Sequence, residues 1–450
     1  MTHHKLQTAS LVFVYTLVLS GLSHARGGVG HHEWNAAIQW TTLDTPPPIA
    51  RRPLVDDIVE YRVDLRVGPG DYDVIGLHRV VREVAPWQPI ETPDAVMLVH
   101  GSASTFQTAF APALVDAELF APEHGLAPYL AASDIDVWGI DLRWTFVPMG
   151  ATDFSDLAEW NLESQIKDLR LAARIARLVR WIGGSGYDPL FFAGHSSGGT
   201  LTYAYANADT QRPRWQRDVR GLIPIEITFK LTSPESEPLR EAAATRCAAY
   251  QGLYDSGQYA LTLGAQLAPL VGLGLSVPDD PSPVVPGFTN LQTATAIYSL
   301  THLFYAPLPA YTQSYHFLAG TFDEQTGLPT GFQFVDQFNA LAITAYFPPY
   351  QSLIDAIELE ALLSGVVDLP YDDHLGEIDA PVFYVGATGG FGAWGEETLE
   401  LLGSTDRSSL IVQLYPNGYE AIDFGHVDTL WADAAPDLVW APIRDFIHGE

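Results

Sequence analysis

The stretch LFFAGHSSGGT, Leu190 to Thr200, is an apolar run that stops at two serines set among glycines. Within it, Gly194-His195-Ser196-Ser197-Gly198 has the spacing G-x-S-x-G, and only Ser196 stands at its centre. A strand that runs directly into a helix turns sharply at its tip and strains the residue there. Small neighbours two positions away let that turn pack, and the hydroxyl stands clear above the sheet. The apolar run before Ser196 and the helix-compatible SGGTLTYAYA after it supply this context. Ser196 is therefore expected to be a nucleophile, the bland alternative being a Gly-rich turn without chemistry. Ser197 should matter through its backbone N–H more than through its side chain.

A serine hydroxyl is a weak nucleophile until a base removes its proton. The sequence IDFGHVD places His426 late in the chain, after the last apolar run and before a closing helix, where such a base is expected. Asp428, two residues on, reads as a brace for that loop. The run GLIPIEITF is broken by a single carboxylate, Glu226. A lone Glu inside an apolar run is costly to bury unless it is paired, so Glu226 is a candidate to orient His426. Glu396, Glu397, Asp373 and Asp428 remain alternatives at this point.

These residues need elements to hold them. VEYRVDLRVGPGDYDVIGLHRVVRE alternates apolar and polar positions around a Gly-Pro-Gly turn and predicts a β-hairpin. AVMLV (Ala95 to Val99) and DIDVWGID, ending at Asp141, are short apolar runs of the buried-strand type. Ile166, Leu169, Ala173, Leu178 and Ile182 recur at helical spacing and predict a helix between Leu162 and Ile182. Further strands are expected at Leu190, from Val219 to Phe229, in APVFYVGATGG and in SLIVQLYPNG, with APDLVWAPIRDFI as a closing helix. Apolar strands alternating with helices imply a mostly parallel sheet covered on both faces. Roughly 150 residues between the strands near 225 and 383 are too many for a loop. They predict an inserted, mainly helical cap.

The formal net charge of −31 argues against a nucleic-acid partner, which requires clustered Lys and Arg. Lys5, the apolar run Ala9–Leu22 and the small residues of Ser23-His24-Ala25 predict a cleavable signal peptide with cleavage after Ala25. That run is too short to span a bilayer, so no stable membrane span is expected after cleavage. The lone cysteine, Cys247, cannot form a bridge within the chain and reads as a small buried residue. Nothing in the spacing calls for a metal or a cofactor. The expected divisions are a signal peptide (1–25), an N-terminal arm (26–53), a core in two parts (54–230 and 378–450) and the cap (231–377). The oligomeric state is not legible.

His100-Gly101 after one strand, GHSSGG after the next but one and GHVD near the C-terminus together resemble the α/β-hydrolase superfamily, over residues 55–230 and 378–450. The resemblance implies an eight-stranded, mostly parallel sheet with the cap inserted after the sixth strand. It also implies an oxyanion hole of two backbone N–H groups, which carry over to Ser197 and Ser102. Asp141-Leu142-Arg143 resembles a structural motif that closes the fourth strand in relatives. In many relatives the acid follows the seventh strand, but here Gly and Thr fill that loop. Glu226, after the sixth strand, resembles the arrangement of some other members. A serine at the elbow favours acyl transfer to water over the chemistry of members that carry Asp there. The implied activity is an exported serine hydrolase acting on small hydrophobic carboxylic esters. Lactonase, amidase or acyltransferase chemistry and a catalytically silent binding protein are the alternatives. Thirteen aromatic residues between 298 and 350 are expected mostly to fill the cap, with some facing the cleft. Among its histidines, His302, His316 and His374 are expected to be ordinary core or surface groups.

Overall fold

The alternating residues Val59, Tyr61, Val63 and Leu65 form strand β2 (Ile58–Arg66), which pairs antiparallel with β3 (Val74–Ala85) in the register Tyr61↔Arg79 and Val63↔Leu77. The structure is a computed structural model that describes residues 49–449. The expected signal peptide, and the arm as far as residue 48, lie outside that range. A further strand, β1 (Ala50–Val55), pairs antiparallel with β2 at the sheet edge.

The unbroken apolar runs form central strands. These are β4 (Ala95–Val99), β5 (Asp136–Asp141), β6 (Leu190–His195), β7 (Val219–Ile225), β8 (Val382–Ala387) and β9 (Arg407–Val412). The sheet order is β1-β2-β3-β5-β4-β6-β7-β8-β9, with the two-residue strand Gln88–Pro89 attached to β3. From β5 to β9 every pair is parallel. The eight strands expected are present, extended by β1 and the short strand.

Alternate residues of β4 enter opposite cores. Val96 and Leu98 join one apolar cluster, while Met97 and Val99 join the other with helix α3 (Leu162–Ile182). Burial on both faces explains why the central strands read as continuous apolar runs rather than alternating ones. Helix α3 begins where Asn161 caps it by accepting the Ser164 N–H at 3.0 Å, and it ends at Gly183. It buries Ile166, Leu169 and Ala173 of the predicted stripe, but Leu178 and Ile182 stay partly exposed and Ile175, Ala176 and Val179 are buried in the last turns instead. The closing segment starts as a single wide turn, Pro436–Trp440, and continues as a helix over Ala441–His448.

Buried ions tie the edge strands together. His78 on β3 lies between Glu60 Oε1 (2.8 Å) and Asp141 Oδ2 (3.0 Å). Asp141 also accepts the Phe106 N–H at 2.7 Å, and Arg143 pairs with Asp168 and Asp73. The Asp141-Leu142-Arg143 segment is thus engaged in internal packing.

Between β7 and β8 the chain runs through helices α5 (Glu237–Asp255), α6 (Leu263–Ser276), α7 (Asn290–Ser299) and α8 (Leu353–Ser364), and a hairpin of Gly320–Phe322 with Pro329–Phe332. Helix α4 (Ser197–Thr210) follows β6. A fully buried pair, Arg246–Glu360, joins α5 to α8. Cys247 is buried beside it, its thiol facing the Ile357 carbonyl. Among the described residues no helix is long and apolar enough to cross a membrane.

Candidate active site

Ser196 stands between β6 and α4 with φ 55° and ψ −129°, a strained backbone for a residue with a Cβ. The glycines on either side make the turn possible. A Cβ on Gly194 would lie 2.3 Å from the Gly198 carbonyl oxygen, and one on Gly198 would lie 2.2 Å from that of Val99. Ser197 is the first residue of α4, where backbone N–H groups have no partner inside the helix. Ser102 Oγ donates to Ser197 Oγ at 3.0 Å, so the loop after β4 abuts the elbow. His100 holds that loop from below. Its Nε2 accepts the Leu142 N–H at 3.3 Å, which leaves Nδ1 to donate to the Gly101 carbonyl at 2.9 Å.

His426 and Glu226, 200 positions apart, meet with Nδ1 2.9 Å from Oε2. Glu226 follows β7 directly and has φ 51°, which turns its side chain out of the strand line and towards the loop after β8. There Oε1 accepts the N–H groups of Ala387 (2.6 Å) and Gly392 (3.2 Å), and Oε2 accepts that of Phe391 (3.0 Å). A Cβ on Gly390 would sit 1.9 Å from Oε2. The loop that lacks an acid therefore supplies donors and space for one on the neighbouring strand.

Both groups are fully buried. Burial pushes the Glu226 carboxyl up to about 7, against the pull of its three N–H donors. Burial also pushes the His426 imidazole down to about 3, with His316 acting in the same direction. The imidazole is therefore neutral at pH 7, the form that can accept a proton. With Nδ1 turned to Glu226, Nε2 is the nitrogen on the side away from it.

The other carboxylates have different work. Asp428 Oδ2 accepts the N–H groups of Gly425 and Ala319, each at 2.8 Å, and so braces the His426 loop. Glu397 caps the chain at Thr232, Ser233 and Ser236, and Glu396 bonds Ser409. His426 Nδ1 is taken by Glu226, which leaves no such role for Asp373.

Ser196, His426 and Ser102 line one cleft of ≈770 Å³, part of it open to solvent. Its walls include Leu263, Leu267, Phe347 and Trp431 on one hand and Tyr305, Tyr311 and Tyr315 on the other. Several aromatic residues of the 298–350 stretch thus face the cleft, while Phe304, Phe338 and Tyr346 are exposed.

Two histidines have more structure around them than their sequence suggests. His195, inside the elbow, directs Nε2 at the His426 carbonyl (3.0 Å), its ring 4.6 Å from that of His426. His316 is no ordinary core group. Its nitrogens lie 2.8 Å from the Ser314 and Asp423 carbonyls, and its own carbonyl accepts the His426 N–H at 3.0 Å. Its N–H donates to Gly389 at 3.0 Å, so the insertion is stitched to both loops that hold the His–Glu pair. His374 pairs with Glu377 (3.0 Å) away from the cleft. The G-H-S spacing put His195 in view, but nothing in sequence spacing marks His316, whose contacts are to backbone.

No protein-family model matches the chain, and no curated protein matches it. Among solved structures, it is similar to a candidate lipase from Sulfolobus solfataricus. Identity is 18%, the match covers 93% of this chain and 99% of that one, and the TM-score is 0.56. A soluble variant of monoglyceride lipase from Saccharomyces cerevisiae (14% identity, 92% and 99% covered) has a TM-score of 0.39. A thermophilic esterase from Thermogutta terrifontis (14% identity, 86% and 98% covered) has one of 0.40. At such identities the likeness is one of fold, and the last two scores carry no argument.

Proposed function

We propose that this chain, an α/β-hydrolase by fold, is an exported serine hydrolase that cleaves carboxylic esters with an apolar part through an acyl-enzyme on Ser196. The observation that carries the reading is the 2.9 Å contact of His426 with Glu226 at the cleft that Ser196 also lines.

In this reading His426 Nε2 takes the Ser196 proton as Oγ attacks the ester carbonyl. Glu226 fixes the Nδ1–H tautomer and stabilises the imidazolium that forms. The backbone N–H groups of Ser197 and Ser102 receive the oxyanion, each donor worth about 3–4 kcal/mol in the transition state. Helix α4, pointing its N-terminus at the same place, adds a favourable field. His426 then gives its proton to the leaving alcohol, and a water repeats the sequence to release the acid. The segment 231–377 acts as a cap whose apolar side chains set the substrate's character.

The test is hydrolysis of p-nitrophenyl esters of rising acyl length by the full chain and by the Ser196→Ala variant. Turnover that depends on chain length and is lost in the variant supports the reading. Absence of turnover at every length, or equal turnover by both proteins, overturns it.

A further inference from the structure

The cleft has two unlike sides. Leu267, Phe347 and Trp431 belong to the apolar cluster on one side of the sheet, whereas Tyr305, Tyr311 and Tyr315 belong to the other. Trp431 is fixed beside α1 (Phe106–Phe110), the helix that follows the Ser102 loop, because its Nε1 donates to the Thr108 carbonyl at 3.0 Å. On the other side the Tyr315 ring lies 5.3 Å from the imidazole, with Tyr305 and Tyr311 packed against Tyr315 rather than against His426. Since His426 protonates the departing oxygen, the alcohol side of an ester falls among the tyrosines.

The three phenol rings stand edge to face. Centroids are 5.5 Å apart for Tyr305–Tyr311, 6.2 Å for Tyr305–Tyr315 and 5.2 Å for Tyr311–Tyr315, with interplanar angles of 76°, 81° and 60°. Tyr315 is itself buried against Phe317 and Phe391, while Tyr305 and Tyr311 are only half-buried where the three line the cleft. A further ring there would extend the edge-to-face geometry that aromatic pairs prefer. An aromatic corner can also hold a cation, but this one already has its own. The Arg246 guanidinium lies 4.2 Å over the Tyr311 ring. The nearby carboxylate, Glu360, is already taken by two 2.8 Å bonds from Arg246 and one of 3.1 Å from the Tyr311 hydroxyl. Arg246 also donates to the carbonyls of Pro309 and Ala310, which sets the backbone on which Tyr311 sits. A second positive charge would meet repulsion and find no free anion.

We infer that Tyr305, Tyr311 and Tyr315 form a subsite for a neutral planar aromatic group on the alcohol part of the ester. The inference rests on the ester-hydrolase reading and names its preferred substrates: aryl-bearing esters with an aliphatic acyl chain on the Trp431 side.

The test compares benzyl and cyclohexylmethyl butanoate, which are matched in size and close in leaving ability. The subsite predicts kcat/KM for the benzyl ester about 10-fold higher, the effect of one to two favourable ring contacts. In Tyr305→Leu and Tyr311→Leu the ratio should fall towards one, and in Tyr311→Phe, which keeps the ring, it should persist. A ratio near one in the unaltered protein, or a ratio that survives both Leu variants, overturns the subsite. So does preference for a choline ester over its uncharged 3,3-dimethylbutyl counterpart. Calorimetric binding of the same two esters to Ser196→Ala reads the preference without turnover. A benzyl preference in binding with no hydrolysis would sink the ester-hydrolase reading and keep the subsite. Hydrolysis without that preference would do the reverse.

Discussion

Glu226 occupies an expensive position: a carboxyl with no exposure, in a turn with positive φ, inside an otherwise apolar run. Its three backbone donors and His426 offset part of that cost. Because the two groups share a buried contact, protons bind to the pair rather than to either residue alone. The first proton bound abolishes the carboxylate that supports the imidazolium, so kcat/KM should fall on the acid side near pH 7, where burial has pushed Glu226. Glu226→Gln removes that carboxyl and leaves a buried imidazole whose own tendency is far lower. The variant should lose about 10³–10⁴-fold in turnover. Its residual activity should have an acid limb displaced to lower pH. A pH–rate profile of the variant with an unmoved or raised limb would count against the pair.

At the scale of elements, the loop after β8 is shaped for a neighbour's side chain. Gly390→Ala places a Cβ where Glu226 Oε2 lies and should reduce kcat at least 10-fold. Combined with Glu226→Gln it should cost nothing further, since both changes act on one contact. Additive losses in that double-mutant cycle would show that Gly390 acts elsewhere. The edge of the sheet has its own titrating lock. Burial alone would depress His78, but Asp141 and Glu60 outweigh it and raise the imidazole to about 9. A raised folded-state pKa means the contribution is complete below the unfolded value near 6.5 and fades as pH climbs through 9. Denaturation midpoints should therefore decline between pH 7 and 10, and decline less steeply in His78→Asn. Equal slopes would remove His78 from the account.

These elements also show what the amino-acid order makes legible. Ala95–Val99 and Leu162–Ile182 match their predicted bounds because an apolar run bounded by Gly, and a 3.6-residue period with an Asn cap, are local signals. Strand β7 was expected to run to Phe229 but stops at Ile225, because Glu226 turns out of the ladder to reach a loop some 160 positions away. The candidacy of Glu226 was legible as a misplaced charge. Its three N–H donors and the stitching by His316 were not, since bonds to backbone leave no residue-type signature.

For the molecule as a whole, the acidic balance of −31 and the proposed export concern where the protein works rather than how it folds. Expression in a secreting host should yield a mature chain beginning at Arg26. N-terminal sequencing that finds Met1 retained would contradict export while leaving the chemistry untouched. The central claim is that a fold shared with a known structure at 18% identity here carries a working Ser196–His426–Glu226 unit. The most direct measurement is intact-mass analysis, followed by peptide mapping, after exposure to an alkyl phosphonate probe. The account predicts one adduct per chain on Ser196, absent in Ser196→Ala, slowed by about 10⁴-fold or more in His426→Ala and largely retained in Ser197→Ala. An adduct on Ser197, or no adduct on a folded chain, would contradict it.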